Sequence, residues 1–171
     1  MLSVIGRIVF LERRYLLYNM ATNTTTGKFY EVASKIATLK DDGTLITEKY
    51  LVCIKADSFG DAEKKAIEEL APLSYNGAEF GLDNILNINP AQYGEVIEIE
   101  DKAADKWYKA KLSFITIDEK TMKEKKQNIV YLIQAKDFDH AKSGIAEFMK
   151  GSMMDYTITQ LTETKIKDVY L

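Results

Sequence analysis

The sequence predicts an α+β protein: two tandem β-β-α-β repeats, residues 28–100 and 101–171, forming a pseudo-symmetric two-layer antiparallel sheet/helix protein. Three observations predict it. A block of sequence recurs, since Lys28-Phe29-Tyr30 returns as Lys106-Trp107-Tyr108 at an offset of 78. Each copy opens with apolar residues alternating at a period of two, the mark of a strand with one buried face. Each then changes to helical spacing behind an N-cap residue.

The alternation is clearest in the second copy, where Tyr108, Ala110, Leu112 and Phe114 interleave with Trp107, Lys109, Lys111 and Ser113. Tyr30, Val32, Ser34 and Ile36 repeat the pattern in the first copy. Turns are expected at Lys40–Thr44 and Asp118–Met122. Asp42-Gly43 suits a tight hairpin, because glycine takes a positive φ without a Cβ clash. The return strands are Lys49 to Ala56 and Asn128 to Ala135.

Ser58 and Asp137 stand at equivalent N-cap positions, where a side-chain oxygen accepts from a free backbone N–H. Behind them, Phe59, Ala62, Ala66, Ile67 and Leu70 share one helical face, as do Phe138, Ala141, Ile145, Phe148 and Met149. Pro72 and Gly151 mark the stops. A final extended segment runs from Glu79 to Ile88 and onward in copy one, and from Asp155 to Tyr170 in copy two. Its two versions are aligned by Phe80 with Tyr156 and Leu82 with Ile158.

A helix covers only one face of each sheet. The second face carries Phe29, Ala33, Leu51 and Cys53 in copy one, and Trp107, Ile115, Ile117, Val130 and Leu132 in copy two. A unit of about 70 residues is marginal alone. The halves are therefore expected to bury much of these faces against each other or against another subunit.

The composition is that of a globular chain, 46% apolar and 29% charged, with a net charge of −3. Such a chain has no global attraction for phosphate backbones or anionic lipid, so any such binding needs a local patch. One cysteine and one histidine make no disulfide and no ordinary zinc site, and no cofactor is implied. Both counts suit a cytoplasmic protein.

Residues 1–27 are expected to be an N-terminal extension, disordered or an upstream mis-called start, with the true start at Met20. All three arginines (Arg7, Arg13, Arg14) lie in its first nineteen residues. Beyond them stand 20 lysines against 25 acidic residues, a net charge of −5. The apolar opening is broken by Arg7, too early for a membrane helix or a signal peptide, and no membrane association is expected.

No residue pattern commits the chain to a reaction. His140 has Asp61 as its counterpart and no nucleophile nearby in sequence. Cys53 has Leu132 as its counterpart, which argues for packing. The nine glycines form no phosphate-binding loop. The acidic turns Asp41-Asp42 and Asp118-Glu119 lack calcium-loop spacing. The one charge feature is Lys120, Lys123, Lys125 and Lys126 in the second hairpin, diluted by Glu119 and Glu124 and lacking in the first copy, with Lys109 and Lys111 on the strand leading to it and Trp107 on the face of those two. These seven residues are the candidate nucleic-acid or partner surface, since single-strand binders combine backbone attraction with base stacking.

The repeated openings Phe29-Tyr30 and Trp107-Tyr108, the hairpin from Phe114 to Lys126 and the close from Asp155-Tyr156 to Val169-Tyr170 resemble a family of small uncharacterised proteins, a domain of unknown function from Bacteroidetes and their phages. The resemblance covers about residues 28–171. It implies a bacterial or phage cytosolic origin and no particular activity. The leading expectation is a non-catalytic binding or interaction module acting on an unknown protein partner or by self-association. The alternatives are a single-stranded nucleic-acid-binding accessory protein of phage or mobile-element type, and an enzyme whose site forms between the halves.

Overall fold

The structure is a computed structural model that describes residues 28–75, 77–152 and 154–171. The expected extension at 1–27 and the start at Met20 lie outside the described residues. The elements run in the expected order. The first copy contains β1 (Lys28–Leu39), β2 (Leu45–Ala56), α1 (Phe59–Leu70), β3 (Ile85–Ala91) and β4 (Glu95–Ile97). The second contains β5 (Lys106–Ile117), β6 (Glu124–Ala135), α2 (Phe138–Met149), β7 (Tyr156–Glu163) and β8 (Ile166–Tyr170).

Among the described residues the fold is α+β, with two four-stranded sheets and one helix per sheet. The sheets are ordered β3-β1-β2-β8 and β4-β6-β5-β7. Three strands of each are antiparallel neighbours from one copy, and the fourth comes from the other copy and runs parallel. β8 closes the first sheet beside β2, and β4 closes the second beside β6. Each extended close thus holds two strands, one for its own sheet and one lent across. The exchange ties the halves together through backbone hydrogen bonds on both sides.

The duplication extends to an irregularity. The β1/β3 ladder slips between Ala33 and Ser34, and the β5/β7 ladder slips between the equivalent Lys111 and Leu112. Val32 pairs with Ile88, and its counterpart Ala110 pairs with Leu161. This ladder corrects the alignment of Phe80 with Tyr156. Short 3-10 turns occupy Gly77–Glu79 and Leu82–Asn84, so the first copy's strand begins only at Ile85.

Three apolar clusters stack the layers. Tyr30, Val32, Ile36, Val52 and Ile54 pack under Ala62, Ala66 and Leu70 of α1. Tyr108, Ala110, Leu112, Phe114, Tyr131 and Ile133 pack under Ala141, Ile145 and Met149 of α2. Between the sheets lie Phe29, Cys53, Tyr93, Trp107, Leu132, Ile166 and Val169. The layers are therefore helix, sheet, sheet, helix, with the second faces buried against each other. Phe59 and Phe138 depart from the expected helix faces: as first helical residues they remain 52% and 46% exposed.

The helix starts are matched as well. Ser58 accepts from the Asp61 N–H, and Asp137 accepts from the His140 N–H. The Asp61 carboxylate accepts in return from the Asp57 N–H, and His140 Nδ1 accepts from the Lys136 N–H. His140 and Asp61 thus do the same capping work, which explains how unlike residues share one position.

Candidate interaction surface

The seven lysine-hairpin residues separate into two places. Trp107 lies in the core between the sheets, 4% exposed. Its ring cannot stack on a base, which corrects the expectation of an exposed aromatic. Lys109, on the same face, is held by the other half. Its ammonium donates to Glu31 at 2.6 Å and lies over the Tyr93 ring, 5.4 Å from the centroid. The Tyr93 hydroxyl donates to the same carboxylate oxygen. Glu31 and Lys109 are equivalent positions, separated by the repeat length of 78, so this pair sits across the pseudo-twofold relation. Two identical residues would repel there; opposite charges attract.

Burial opposes ionisation of Glu31. The hydrogen bonds from Lys109 and Tyr93, with the lysine charge, outweigh it and hold the carboxyl below the ordinary range. Burial, and then the charge of Glu31, push the neighbouring Cys53 thiol up to about 12. Cys53 is therefore an inert packing residue, as its apolar counterpart suggests.

Lys120, Lys123, Lys125 and Lys126 are brought together at the β5–β6 tip, all exposed. Lys111 stands half-buried on the strand between the two places. Eight residues separate Lys109 from Ile117, which is roughly 26 Å of strand. The tip is therefore a surface of its own, remote from Trp107.

Local chemistry builds this tip. Asp118 accepts from the backbone N–H groups of Lys120 and Thr121, which hold its carboxyl below the usual range. The Asp118 N–H donates to the Lys123 carbonyl, and the Met122 N–H donates to the Asp118 carbonyl. Met122 takes φ 54°, the one positive φ outside glycine among the described residues. Its counterpart in the first hairpin is Gly43, at φ 80°. A left-handed residue with a side chain costs roughly 1–2 kcal/mol that glycine avoids. Met122 is also 78% exposed, beside Ile117 at 65% and Ile115 at 43%. Across the ladder Ile115 pairs with Lys126 and Ile117 with Glu124, so these uncovered apolar side chains stand among charges of both signs, with lysines in the majority.

Alternation alone places Ile115 and Ile117 on the buried second face, but the sheets pack only along the half of the hairpin nearer Trp107, which leaves both exposed. A signal for Met122 was present, since it aligns with the Asp-Gly glycine of the first copy.

The first hairpin ends in a tip of opposite net charge, with three carboxylates and one lysine over residues 40–48 against three carboxylates and four lysines over residues 118–127. An open groove of about 420 Å³ is lined by Thr38, Leu39, Lys40, Asp41, Asp42, Ile46 and Glu48. Asp42 accepts from the Thr44 N–H, and that backbone hydrogen bond keeps its carboxyl below the ordinary range.

A family model described as a domain of unknown function, DUF4494, matches residues 28–171. The chain belongs to the DUF4494 family. The matched span coincides with the two repeats, so the DUF4494 unit is the whole duplicated fold rather than one half of it. Neither the curated proteins nor the solved structures contain a match to this DUF4494 chain. No helix among the described residues is long and apolar enough to cross a membrane.

Proposed function

We propose that this protein is a non-catalytic interaction module, and that its contact surface is the β5–β6 tip. Met122 carries the reading: an apolar side chain, 78% exposed, held in a backbone conformation that favours glycine. Strain kept at an exposed position is a pointer to function, because nothing in the fold needs that side chain there. Ile117 and Lys120, Lys123, Lys125 and Lys126, which outnumber the neighbouring Asp118, Glu119 and Glu124, complete a mixed apolar and net-basic surface suited to a partner with acidic and apolar groups. On the family resemblance, the setting we propose is the cytoplasm of a bacterium or of a phage-infected cell.

The test is a photo-reactive amino acid in place of Met122, irradiated in extract of the native host. A discrete adduct is expected, and it should vanish when the four lysines are changed to glutamate. A smear or no adduct would remove the tip as the contact surface.

The second reading is a single-stranded nucleic-acid accessory protein of phage or mobile-element type. The four exposed lysines favour it; the burial of Trp107 takes away its stacking platform. Anisotropy of a labelled single-stranded oligonucleotide decides it. Binding that weakens steeply with salt and is lost in the Lys→Glu variant would support it.

A further inference from the structure

We infer that the basic β5–β6 tip of one molecule docks on the acidic β1–β2 tip of a second copy of this chain. The inference rests on the interaction-module reading and names the partner.

Both surfaces lie on the same chain and both are open. The donor tip presents Met122 and Ile117, 78% and 65% exposed, among four lysines and the carboxylates of Asp118, Glu119 and Glu124. The acceptor groove is walled by Leu39 and Ile46, with Asp41, Asp42 and Glu48 supplying three carboxylates and Lys40 among its lining. Leu39 and the neighbouring Leu45 are 46% and 49% exposed, so the acceptor too has apolar surface without cover. Apolar groups meet apolar groups, and the net charges are opposite: Lys120, Lys123, Lys125 and Lys126 outnumber Asp118, Glu119 and Glu124 at the tip, while Asp41, Asp42 and Glu48 outnumber Lys40 in the groove.

The duplication gives this a reason. Two equivalent hairpins with the same tip would repel or fail to fit. Here the copies diverged: glycine stands against methionine at the left-handed position, and with three carboxylates in each tip the second has four lysines (Lys120, Lys123, Lys125, Lys126) where the first has Lys40. A contact between unlike surfaces of identical chains is heterologous, so each molecule keeps one free tip and one free groove. Association therefore continues beyond a dimer, into a ring or a chain. A contact confined to two hairpin tips is small, so it is expected to be weak and sensitive to salt.

The experiment is sedimentation of the full chain over a wide concentration range, at about 50 mM and about 500 mM salt. The average mass should rise with concentration and fall back at high salt. Lys123→Glu/Lys125→Glu gives an acidic tip, and Asp41→Lys/Glu48→Lys gives a basic groove. Each variant alone should weaken association at least tenfold while keeping the wild-type unfolding midpoint. Mixing the two variants should restore it, because the native tip meets the native groove and the reversed tip meets the reversed groove. A wild type that stays monomeric throughout overturns the inference. So does a mixture that behaves as the sum of its parts. A foreign protein crosslinked through position 122, with no self-association, overturns this inference and leaves the interaction-module reading standing. A tip that crosslinks to nothing ends both.

Discussion

Changing Glu31 probes the join between the halves directly. The Glu31 side chain is 21% exposed and that of Lys109 is 40% exposed, with 2.6 Å between the charged atoms. Fully exposed pairs contribute about 0–1 kcal/mol, while removing one partner of a fully buried pair costs about 3–5 kcal/mol. This pair lies between those limits, and Glu31 also accepts from Tyr93. Glu31→Gln should therefore destabilise by about 1–2 kcal/mol. Glu31→Lys, which sets two lysines against each other, should cost about 3 kcal/mol. For a domain of this size that is a fall in Tm of roughly 3 °C per kcal/mol. The double swap Glu31→Lys/Lys109→Glu should recover at least about 1 kcal/mol relative to the sum of the single changes. It should not recover everything, because the Tyr93 hydroxyl loses its carboxylate acceptor. Urea unfolding is the assay, with midpoints compared at constant slope. A double swap as unstable as the two single changes added together would refute the pairing.

Other consequences are more local. The Glu31 carboxyl is held below its ordinary value in the folded state, so its contribution is complete above the unfolded-state pKa and is lost as pH falls through the lower folded value; Glu31→Gln should flatten the acid limb of a stability–pH curve. Met122→Gly relieves about 1–2 kcal/mol of left-handed strain and adds about 0.4–1 kcal/mol of unfolded-chain freedom, so urea unfolding should show a stability gain of about 0–1.6 kcal/mol. Gly77→Ala would drive a Cβ into the Ala71 carbonyl oxygen, a backbone atom with little room to retreat, and should lower the unfolding free energy by about 1–3 kcal/mol. Trp107 should emit as a buried indole and resist acrylamide quenching, and Cys53 should react with thiol reagents only at the rate of unfolding. Early quenching or labelling would contradict the packed core between the sheets.

Much of this structure was legible locally. Period-two alternation located both hairpins, and the cap residues Ser58 and Asp137 located both helices, because strand and helix spacing are properties of consecutive residues. Lys120, Lys123, Lys125 and Lys126 were legible as a charge cluster for the same reason. The recurrence of Lys28-Phe29-Tyr30 established the duplication, and the apolar second faces implied that the halves are stacked.

What the tertiary structure decided is who pairs with whom. β4 and β8 are short strands that could have extended their own sheets; only the assembled molecule shows each lent to the opposite one. Such pairing joins residues distant in sequence, and no local pattern encodes it. The same holds for Trp107 and Lys109. Their alternation with Tyr108 and Ala110 says only that they face away from the helix. Whether that face meets water or another sheet depends on where the packed region ends. It ends between Lys111 and Ile115. On one side of that line Lys109 is an internal partner of Glu31, and on the other Ile117 and Met122 are left for another molecule.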